Sequence, residues 1–278
     1  MELEENLLNK LIEISLEEDR IEDDITTNSL IEYDKVVMAD VIAKEDGIIS
    51  GIIPFKKTFK AIDKSSEIKV IKQDGKPAKK GDKILEIFAK ESVILKGERT
   101  ALNFLQRLSG IATLTSKYVE KLKDTEVKLL DTRKTTPGMR YLEKHAVVHG
   151  GGTNHRLNLF DMAMIKENHI EMAGSITNAV NKIRKNYPEK LIEVEVKNLD
   201  ELKEALNLNV YIVMLDNFDK ELIKQAIKIA DKKVKIEVSG NITLENIREK
   251  AINGIDFISS GSLTHSFKSL DLSLYIRG

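Results

Sequence analysis

The sequence predicts an α/β protein in which an N-terminal α/β domain precedes a domain of repeating β/α units. In the C-terminal half, short apolar runs alternate with helical segments at a step of roughly 20 residues, as parallel βαβ units require. In the N-terminal part, strand-like runs are separated by turn signals at Asp46-Gly47, Asp74-Gly75 and Gly81-Asp82. The kind and spacing of the predicted elements therefore differ between the two parts of the chain.

Composition excludes several classes of function. The 278 residues include 44 Lys+Arg and 45 Asp+Glu, so no basic excess favours nucleic acid as a partner. The chain has no cysteine, which excludes disulfides, thiol catalysis and thiolate metal sites. No apolar run reaches the ~18 residues of a membrane span, and the acidic start differs from a signal peptide. We expect a cytoplasmic protein without a membrane partner.

The N-terminal domain is predicted to mix helices and strands. Apolar residues at helical spacing from Leu3 to Ile14 predict a first helix. Strands are predicted at Val36–Ala43, Gly47–Ile53, Lys69–Ile71 and Ile84–Phe88. A long helix over Glu98–Lys123 is expected to be interrupted at Ser109-Gly110, where we place the domain boundary. The predicted domains are residues 1–110, joined by 266–278, and residues 111–265.

The C-terminal domain is predicted to contain a parallel sheet. Its strands are predicted at Val127–Leu130, Leu191–Val196, Val210–Leu215, Val234–Val238 and Asp256–Ile258. Helices are predicted between them at Leu199–Leu206, Lys220–Ala230 and Leu244–Ile252, the first with Asn198 as N-cap. An open or closed β/α barrel and a doubly wound sheet both fit this pattern.

Each predicted strand ends in a polar cluster. Ligands of parallel β/α folds bind beyond the carboxyl ends of the strands, so clusters in phase predict one site. The clusters are Asp131-Thr132-Arg133-Lys134, Glu195-Val196-Lys197, Asp216-Asn217, Ser239-Gly240-Asn241 and Ser260-Gly261-Ser262. The last two are small and rich in N–H groups, which as a pair favours phosphate. Glu195 and Asp216 could hold Mg²⁺, accept from ribose hydroxyls, or form strand-end salt bridges.

Basic residues and histidines are concentrated in residues 131–170. Arginine matches a carboxylate with two parallel hydrogen bonds, so convergent basic groups predict an anionic substrate. His145 and His149 have the i, i+4 spacing of a zinc pair, but without a zincin glutamate or a third ligand we expect packing or surface roles. Lys166 could form a Schiff base, a salt bridge, or a pair with a substrate carboxylate, and the neighbouring basic residues favour the last.

Several motifs together resemble the quinolinate phosphoribosyltransferase family. They are Glu98-Arg99-Thr100-Ala101-Leu102-Asn103, Asp131 to Gly138 (DTRKTTPG), Gly150-Gly151-Gly152, Asn154-His155-Arg156, Ile165 to His169 (IKENH) and Ser260 to Ser266 (SGSLTHS). The resemblance covers nearly the whole chain. It implies an N-terminal α/β sandwich and an incomplete β/α barrel. It also implies a glycosyltransferase of NAD biosynthesis that joins quinolinate to phosphoribosyl pyrophosphate and releases CO₂, with Mg²⁺ as cofactor.

The resemblance also implies roles for individual residues. Quinolinate would be held by Arg99, Arg133, Lys134, His155, Arg156 and Lys166, with Thr132 in the same substrate site. Ribose and Mg²⁺ would fall to Glu195 and Asp216, which with Lys134 and Lys166 are the expected catalytic residues. Phosphate would bind at Ser239, Gly240, Asn241, Ser260, Gly261 and Ser262. The family is dimeric, and Arg99 would reach into the partner's site in a homodimer or higher homo-oligomer.

Two departures from the family pattern concern local turns. Ile21 and Asp23 stand where the family usually has glycines, and Asn241 stands where Gly is often found. Asn tolerates left-handed backbone better than most residues, so the turn at Asn241 is expected to survive.

Three alternatives compete with this interpretation. They are a relative of the same fold linked to molybdate transport, a Schiff-base aldolase using Lys166, and a non-catalytic carrier module around Asp74–Leu85. The complete set of dicarboxylate-binding residues argues against the first. The third lacks a Met-Lys-Met or Asp-Lys-Ala modification site.

Overall fold

The structure of the protein is a computed structural model that describes residues 2–277. Its helices are α1 (Glu2–Glu18), α2 (Ile25–Leu30), α3 (Ile52–Ile62), α4 (Glu91–Leu122), α5 (Arg140–His149), α6 (Glu167–Ala173), α7 (Ile176–Asn186), α8 (Leu199–Asn207), α9 (Lys220–Ala230), α10 (Ile247–Lys250) and α11 (Ser262–His265). Its strands are β1 (Val36–Ala43), β2 (Gly47–Ile48), β3 (Glu67–Val70), β4 (Pro77–Ala78), β5 (Lys83–Lys90), β6 (Lys128–Leu130), β7 (Ala163–Ile165), β8 (Ile192–Val196), β9 (Ile212–Asp216), β10 (Lys235–Ser239), β11 (Phe257–Ser259) and β12 (Leu272–Ile276). No helix within residues 2–277 is long and apolar enough to cross a membrane.

The described chain divides into two compact units. The first contains the residues up to Ser116, the segment Thr136–Gly151, and the residues from Phe267 onward. The second contains Lys117–Thr135 and Gly152–Ser266.

The first unit is built on an antiparallel sheet in the order β12-β1-β5-β3, beside a two-stranded pair of β2 and β4. The strand predicted at Val36–Ala43 is confirmed. The strand predicted at Gly47–Ile53 is wrong after Ile48, because Gly51 turns the chain at φ 108° and α3 begins at Ile52. The apolar residues of α3 instead join the buried core of this sheet.

Helix α4 is continuous, so the predicted interruption at Ser109-Gly110 is wrong. Gly110 allows the backbone of α4 to lie close to the backbone of Lys268, since a Cβ at this position would collide with the carbonyl oxygen of Lys268. The predicted domain boundary at residue 110 falls inside this helix. At the N-terminal departure from the family pattern, Ile21–Asp23 form a single 3-10 turn preceded by Arg20 at φ 50°.

The second unit is built on a parallel sheet in the order β6-β11-β10-β9-β8-β7. Strands β7 to β11 are neighbours in sequence order, and β6 follows β11 at the far side. A doubly wound sheet would reverse its order at a switch point, whereas this sheet advances in one direction as a barrel does. Because β6 and β7 remain the two ends of the sheet, the unit is an incomplete β/α barrel, and the predicted fold class is confirmed.

Of the three helices predicted in the second unit, two are confirmed and α10 is shifted, whereas α6, α7 and α11 were not predicted. Helices α8 and α9 occupy the predicted positions, and Asn198 caps α8 by accepting from the N–H groups of Asp200 and Glu201. Helix α10 begins at Ile247 rather than Leu244. The preceding turn instead uses the Asn246 side chain, which accepts from the Thr243 N–H and donates to the Asn241 carbonyl.

Candidate active site

The carboxyl ends of the parallel strands surround one cavity of about 490 Å³ in the second unit. It is lined by thirteen of the predicted residues: Thr132, Arg133, Lys134, His155, Arg156, Lys166, Glu195, Asp216, Ser239, Gly240, Asn241, Ser260 and Gly261. This convergence follows from strand geometry, since parallel strands deliver the residues after their last pairs to the same edge.

A larger open groove of about 1280 Å³ lies at the other end of the strands. Residues at or before the strand starts line it, among them Val127, Leu191, Tyr211, Lys235 and Asp256. In β/α barrels this end contributes to stability, whereas ligands bind at the carboxyl end. The smaller cavity is therefore the candidate site.

Two arginines form the basic side of the cavity. Arg156 is partly buried, and burial together with the charge of Arg133 lowers the pKa of Arg156. Its Nη1 donates to the carbonyl of Met162 at 3.0 Å. Arg133 Nε is buried and has no hydrogen-bond partner among the described residues. The two guanidinium groups are close together and keep N–H groups that can still donate hydrogen bonds. This arrangement favours binding of an anion with more than one charge.

Two lysines extend this basic side. Lys134 follows β6, where its carbonyl accepts from the Thr264 hydroxyl at 2.8 Å. Lys166 follows β7, and its Nζ lies 2.7 Å from Glu195 Oε2. Both side chains line the cavity and are solvent-exposed.

Two carboxylates face the cavity from adjacent strands. Glu195 belongs to β8 and Asp216 ends β9. Asp216 Oδ2 accepts from the Asn217 side-chain amide at 3.1 Å. Hard carboxylate oxygens on the lining of a cavity match the ligand preference of Mg²⁺, so this donor set fits the predicted ion.

The turn after β10 has left-handed backbone at two successive residues. Gly240 has φ 97° and Asn241 has φ 50°, as expected for Asn at a position where Gly is often found. Asn241 donates from its side chain to Asn217 Oδ1 at 3.1 Å. A Cβ on Gly240 would collide with the Asn217 side chain, so only glycine fits. Because α10 starts later than predicted, the capacity of this turn for phosphate rests on its own backbone amides.

The turn after β11 is supported from behind. The Ser260 hydroxyl donates to the Ile242 carbonyl at 2.9 Å and lies 2.6 Å from the Ser262 hydroxyl. The Ser262 hydroxyl also lies 2.8 Å from the Tyr118 hydroxyl. Ser260 and Gly261 line the cavity, whereas Ser262 supports Ser260.

Two buried glutamates were missed by the sequence prediction. Glu193 Oε2 and Glu237 Oε2 lie 2.9 Å and 3.4 Å from His155 Nε2, and both side chains are fully buried. Burial lowers the pKa of His155, but these two carboxylates outweigh burial and raise it to about 9. Their spacing in the sequence could have identified them. Each precedes a predicted site residue, Glu195 or Ser239, by two positions, and residues two apart lie on the same face of a strand.

The remaining predicted residues lie in the first unit. Arg99 is on α4 with an exposed side chain. His145 and His149 are on α5, where the His145 ring packs against the Tyr141 ring at an angle of 59° and His149 Nδ1 lies 2.8 Å from the Ser50 hydroxyl. These contacts fit the packing role expected for both histidines.

The fold and the cavity define an incomplete β/α barrel enzyme whose site is lined by basic side chains, two carboxylates and the turns that follow β10 and β11. Two family models, the N-terminal and C-terminal domains of quinolinate phosphoribosyl transferase, match residues 24–109 and 111–275. The chain belongs to the quinolinate phosphoribosyltransferase family.

Individual relatives agree with this assignment. A probable nicotinate-nucleotide pyrophosphorylase [carboxylating] of Bacillus subtilis (strain 168) is 41% identical, over 96% of this chain and 92% of that protein. A crystal structure of NadC from Streptococcus pyogenes superposes with a TM-score of 0.92 at 42% identity, covering 98% of this chain and 97% of that one. The nicotinate-nucleotide pyrophosphorylase of Francisella tularensis gives 0.92 at 43% identity, covering 98% and 96%.

Proposed function

We propose that the protein transfers phosphoribosyl from phosphoribosyl pyrophosphate to quinolinate, giving nicotinate mononucleotide, pyrophosphate and CO₂ in NAD biosynthesis. The observation that carries this proposal is the pair Arg133 and Arg156, which together with Lys134 and Lys166 offers several cations to one small anion. Quinolinate presents two carboxylates on one ring, so it can engage both guanidinium groups. A hydrogen bond to a charged group contributes about 1.5–3 kcal/mol.

The carboxylate side of the cavity fits the sugar step. The bond from ribose to pyrophosphate breaks and the bond from ribose to the quinolinate nitrogen forms, through a ribosyl centre with positive character. Glu195 and Asp216 line the cavity where they would stabilise that charge. They would also hold Mg²⁺, directly or through water, and the ion would neutralise pyrophosphate oxygens. The turns at Ser239–Asn241 and at Ser260, Gly261 and Ser262 would hold the phosphates.

Decarboxylation follows from the product of the first step. Attack by the ring nitrogen makes a pyridinium cation. This cation stabilises the ring carbanion that remains when the adjacent carboxylate leaves as CO₂, and a proton then replaces the lost group. The chain's own contribution is to hold the ring by its carboxylates and to keep the cations Lys134 and Lys166 beside it.

The direct test is a product assay. The purified protein is incubated with quinolinate, phosphoribosyl pyrophosphate and Mg²⁺, and nicotinate mononucleotide and CO₂ are measured. We expect both products in equal amounts and no turnover after chelation of Mg²⁺. Turnover of nicotinate without turnover of quinolinate would reassign the substrate.

We further propose a homodimer or higher homo-oligomer in which Arg99 completes the partner's site. Its exposed position on α4 supports this role, as does the absence of Arg99 from the residues that line the cavity. Mixing Arg99→Ala with Arg156→Ala protein should restore about a quarter of the activity, because half of randomly mixed dimers contain one intact site. No recovery from the mixture, with subunit exchange shown by mass spectrometry, would place Arg99 in its own subunit's site. The expected cytoplasmic location stays a prediction.

A further inference from the structure

His155, Glu193 and Glu237 form a buried cluster inside the barrel. The glutamates come from β8 and β10, and both side chains are fully buried, while the His155 side chain is 6% exposed. The His155 Nε2 is 2.9 Å from Glu193 Oε2 and 3.4 Å from Glu237 Oε2. The cluster is therefore held by close electrostatic attraction. Fully buried acids are costly to retain, so their presence requires an explanation.

The segment that carries His155 and Arg156 lies outside the regular strands and helices. Beyond the backbone bridge of Thr153 with Leu130, side-chain hydrogen bonds hold it in place. The His155 N–H donates to Asp131 Oδ1 at 2.8 Å, and the Arg156 N–H donates to His155 Nδ1 at 2.7 Å. The orientation of the His155 ring is thus transmitted directly to the backbone of Arg156.

The hydrogen bond at Nδ1 also identifies the tautomer. Because Nδ1 accepts from Arg156, the ring hydrogen lies on Nε2, which faces the two carboxylates. The two carboxylates raise the pKa of His155, but a second proton on Nδ1 would displace the Arg156 N–H, so the hydrogen bond at Nδ1 opposes double protonation. A metal ion would need the Nε2 lone pair, which this tautomer does not offer. The geometry therefore favours a hydrogen-bonded cluster over a metal centre.

Arg156 needs such an anchor because of its neighbour. The charge of Arg133 repels Arg156, while the charge of Glu193 attracts it. A guanidinium that is repelled by its neighbour keeps a fixed position only if its backbone and its counter-charges are fixed as well. The cluster supplies both.

We propose that Glu193 and Glu237 are positioning residues that orient the His155 ring and, through its Nδ1, set Arg156 for the carboxylates of the ring-acid substrate. This inference rests on the proposed function for the identity of the substrate. It predicts that damage to the cluster weakens binding of quinolinate and leaves binding of phosphoribosyl pyrophosphate nearly unchanged.

Glu237 offers the cleaner test, since Glu193 also attracts Arg156 directly. Glu237→Leu should raise KM for quinolinate about tenfold or more, because displacement of a binding group by 1 Å can cost about 10²-fold. Its kcat and its KM for phosphoribosyl pyrophosphate should stay within about threefold. Glu237→Gln keeps an oxygen that accepts from Nε2–H and should restore KM to within about threefold of wild type.

A double-variant cycle separates positioning from general loss of structure. If Glu237 acts through His155, Glu237→Leu should add nothing to the effect of His155→Ala. Additive losses would overturn the proposal. Glu204→Leu is the matched control: it removes a carboxylate that accepts from the Thr177 N–H and hydroxyl at 2.8 Å and 2.7 Å in the same unit. The control should leave KM for quinolinate unchanged.

Two measurements test the cluster without depending on turnover: the protonation of His155 by NMR, and the content of bound divalent metal in wild type and in Glu237→Leu. Nitrogen-15 NMR of histidine-labelled protein, with the His155 signal assigned from His155→Ala, should show a bare Nδ1 and a protonated Nε2. A doubly protonated ring, or one equivalent of divalent metal that is lost in Glu237→Leu, would overturn the proposal even if the product assay succeeds. The expected tautomer together with a failed product assay would instead overturn the proposed function and leave the arrangement of the cluster supported.

Discussion

Lys166 Nζ lies 2.7 Å from Glu195 Oε2, which pairs the residue after β7 with a residue of β8, the adjacent parallel strand. Lys166 is 46% exposed and Glu195 only 15% exposed at the side chain. The pair therefore joins the basic side of the cavity to its carboxylate side. Under the proposed function, we expect a substrate anion that approaches Lys166 to compete with Glu195 for its Nζ and to free Glu195 to face the ribose.

We predict that Lys166→Gln lowers kcat/KM for quinolinate about 10²-fold, since loss of a charge-assisted hydrogen bond removes up to about 3 kcal/mol. The measurement is steady-state kinetics at saturating phosphoribosyl pyrophosphate. Borohydride treatment of the wild type with an aldehyde or ketone substrate should leave no adduct, because the proposed transfer contains no Schiff-base step at Lys166. A trapped adduct at Lys166 would favour the Schiff-base aldolase alternative.

Arg156→Lys should raise the Kd of quinolinate about tenfold or more, because Lys cannot make two parallel hydrogen bonds to one carboxylate. The Kd of phosphoribosyl pyrophosphate should stay within about twofold. Calorimetric titration with each substrate separately measures both constants. Arg184→Lys is the matched control, since Arg184 donates to the Leu208 and Asn209 carbonyls at the other end of the strands. Equal weakening of both substrates by Arg156→Lys would contradict the assignment of the pocket.

Gly240→Ala should lower Tm and raise KM for phosphoribosyl pyrophosphate. An L-residue at φ 97° is strained by about 1–3 kcal/mol, and its Cβ would also collide with the Asn217 side chain. Gly81→Ala is a matched control for backbone strain, because Gly81 has φ 91° and open space around its Cβ position. The collision predicts a larger loss for Gly240→Ala, and only this variant should affect the substrate. Equal effects on Tm and an unchanged KM would mean that the turn does not approach the phosphates.

The first unit should lose stability in acid through Glu86. Lys83, Lys69 and Arg277 surround this carboxylate and lower its pKa from 4.5 to about 2. A lowered folded-state pKa contributes stability that is complete above the unfolded value of 4.5 and is lost as the pH falls toward 2. Glu86→Gln should therefore have a lower Tm than wild type at pH 7, with the difference disappearing as the pH approaches 2. The exposed Glu67 of β3 gives a control, Glu67→Gln, with no difference at either pH.

The sequence predicted five of the six strands of the barrel sheet because their cores are continuous apolar runs, and it missed the three-residue strand β7. Ile212–Asp216 and Lys235–Ser239 are buried along most of their length, so both runs and their polar ends were visible. The site followed from those ends, since strand geometry brings residues distant in sequence to one edge. Only the spatial order of the strands decided between barrel and doubly wound sheet.

What the sequence could not predict depends on contacts between distant residues. Gly110 reads as a helix breaker, although its role is to admit the backbone of Lys268. Glu193 and Glu237 look like ordinary strand acids until His155 is placed between them. Helix α3 was hidden in an apolar run that fits a strand equally well, and the left-handed turn at Gly51 decides between the two.

The pairing of β12 with β1 has a consequence for synthesis of the protein. Ala39 to Ala43 of β1 pair with Leu272 to Ile276 of β12, so the outer strand of the N-terminal sheet is made after the entire barrel. While the ribosome extends the chain, β1 presents unpaired N–H and C=O groups on one side, which other nascent chains can join. The nascent N-terminal unit must therefore stay soluble with an open sheet edge until its last strand emerges, and translational arrest before residue 272 would leave an aggregation-prone product.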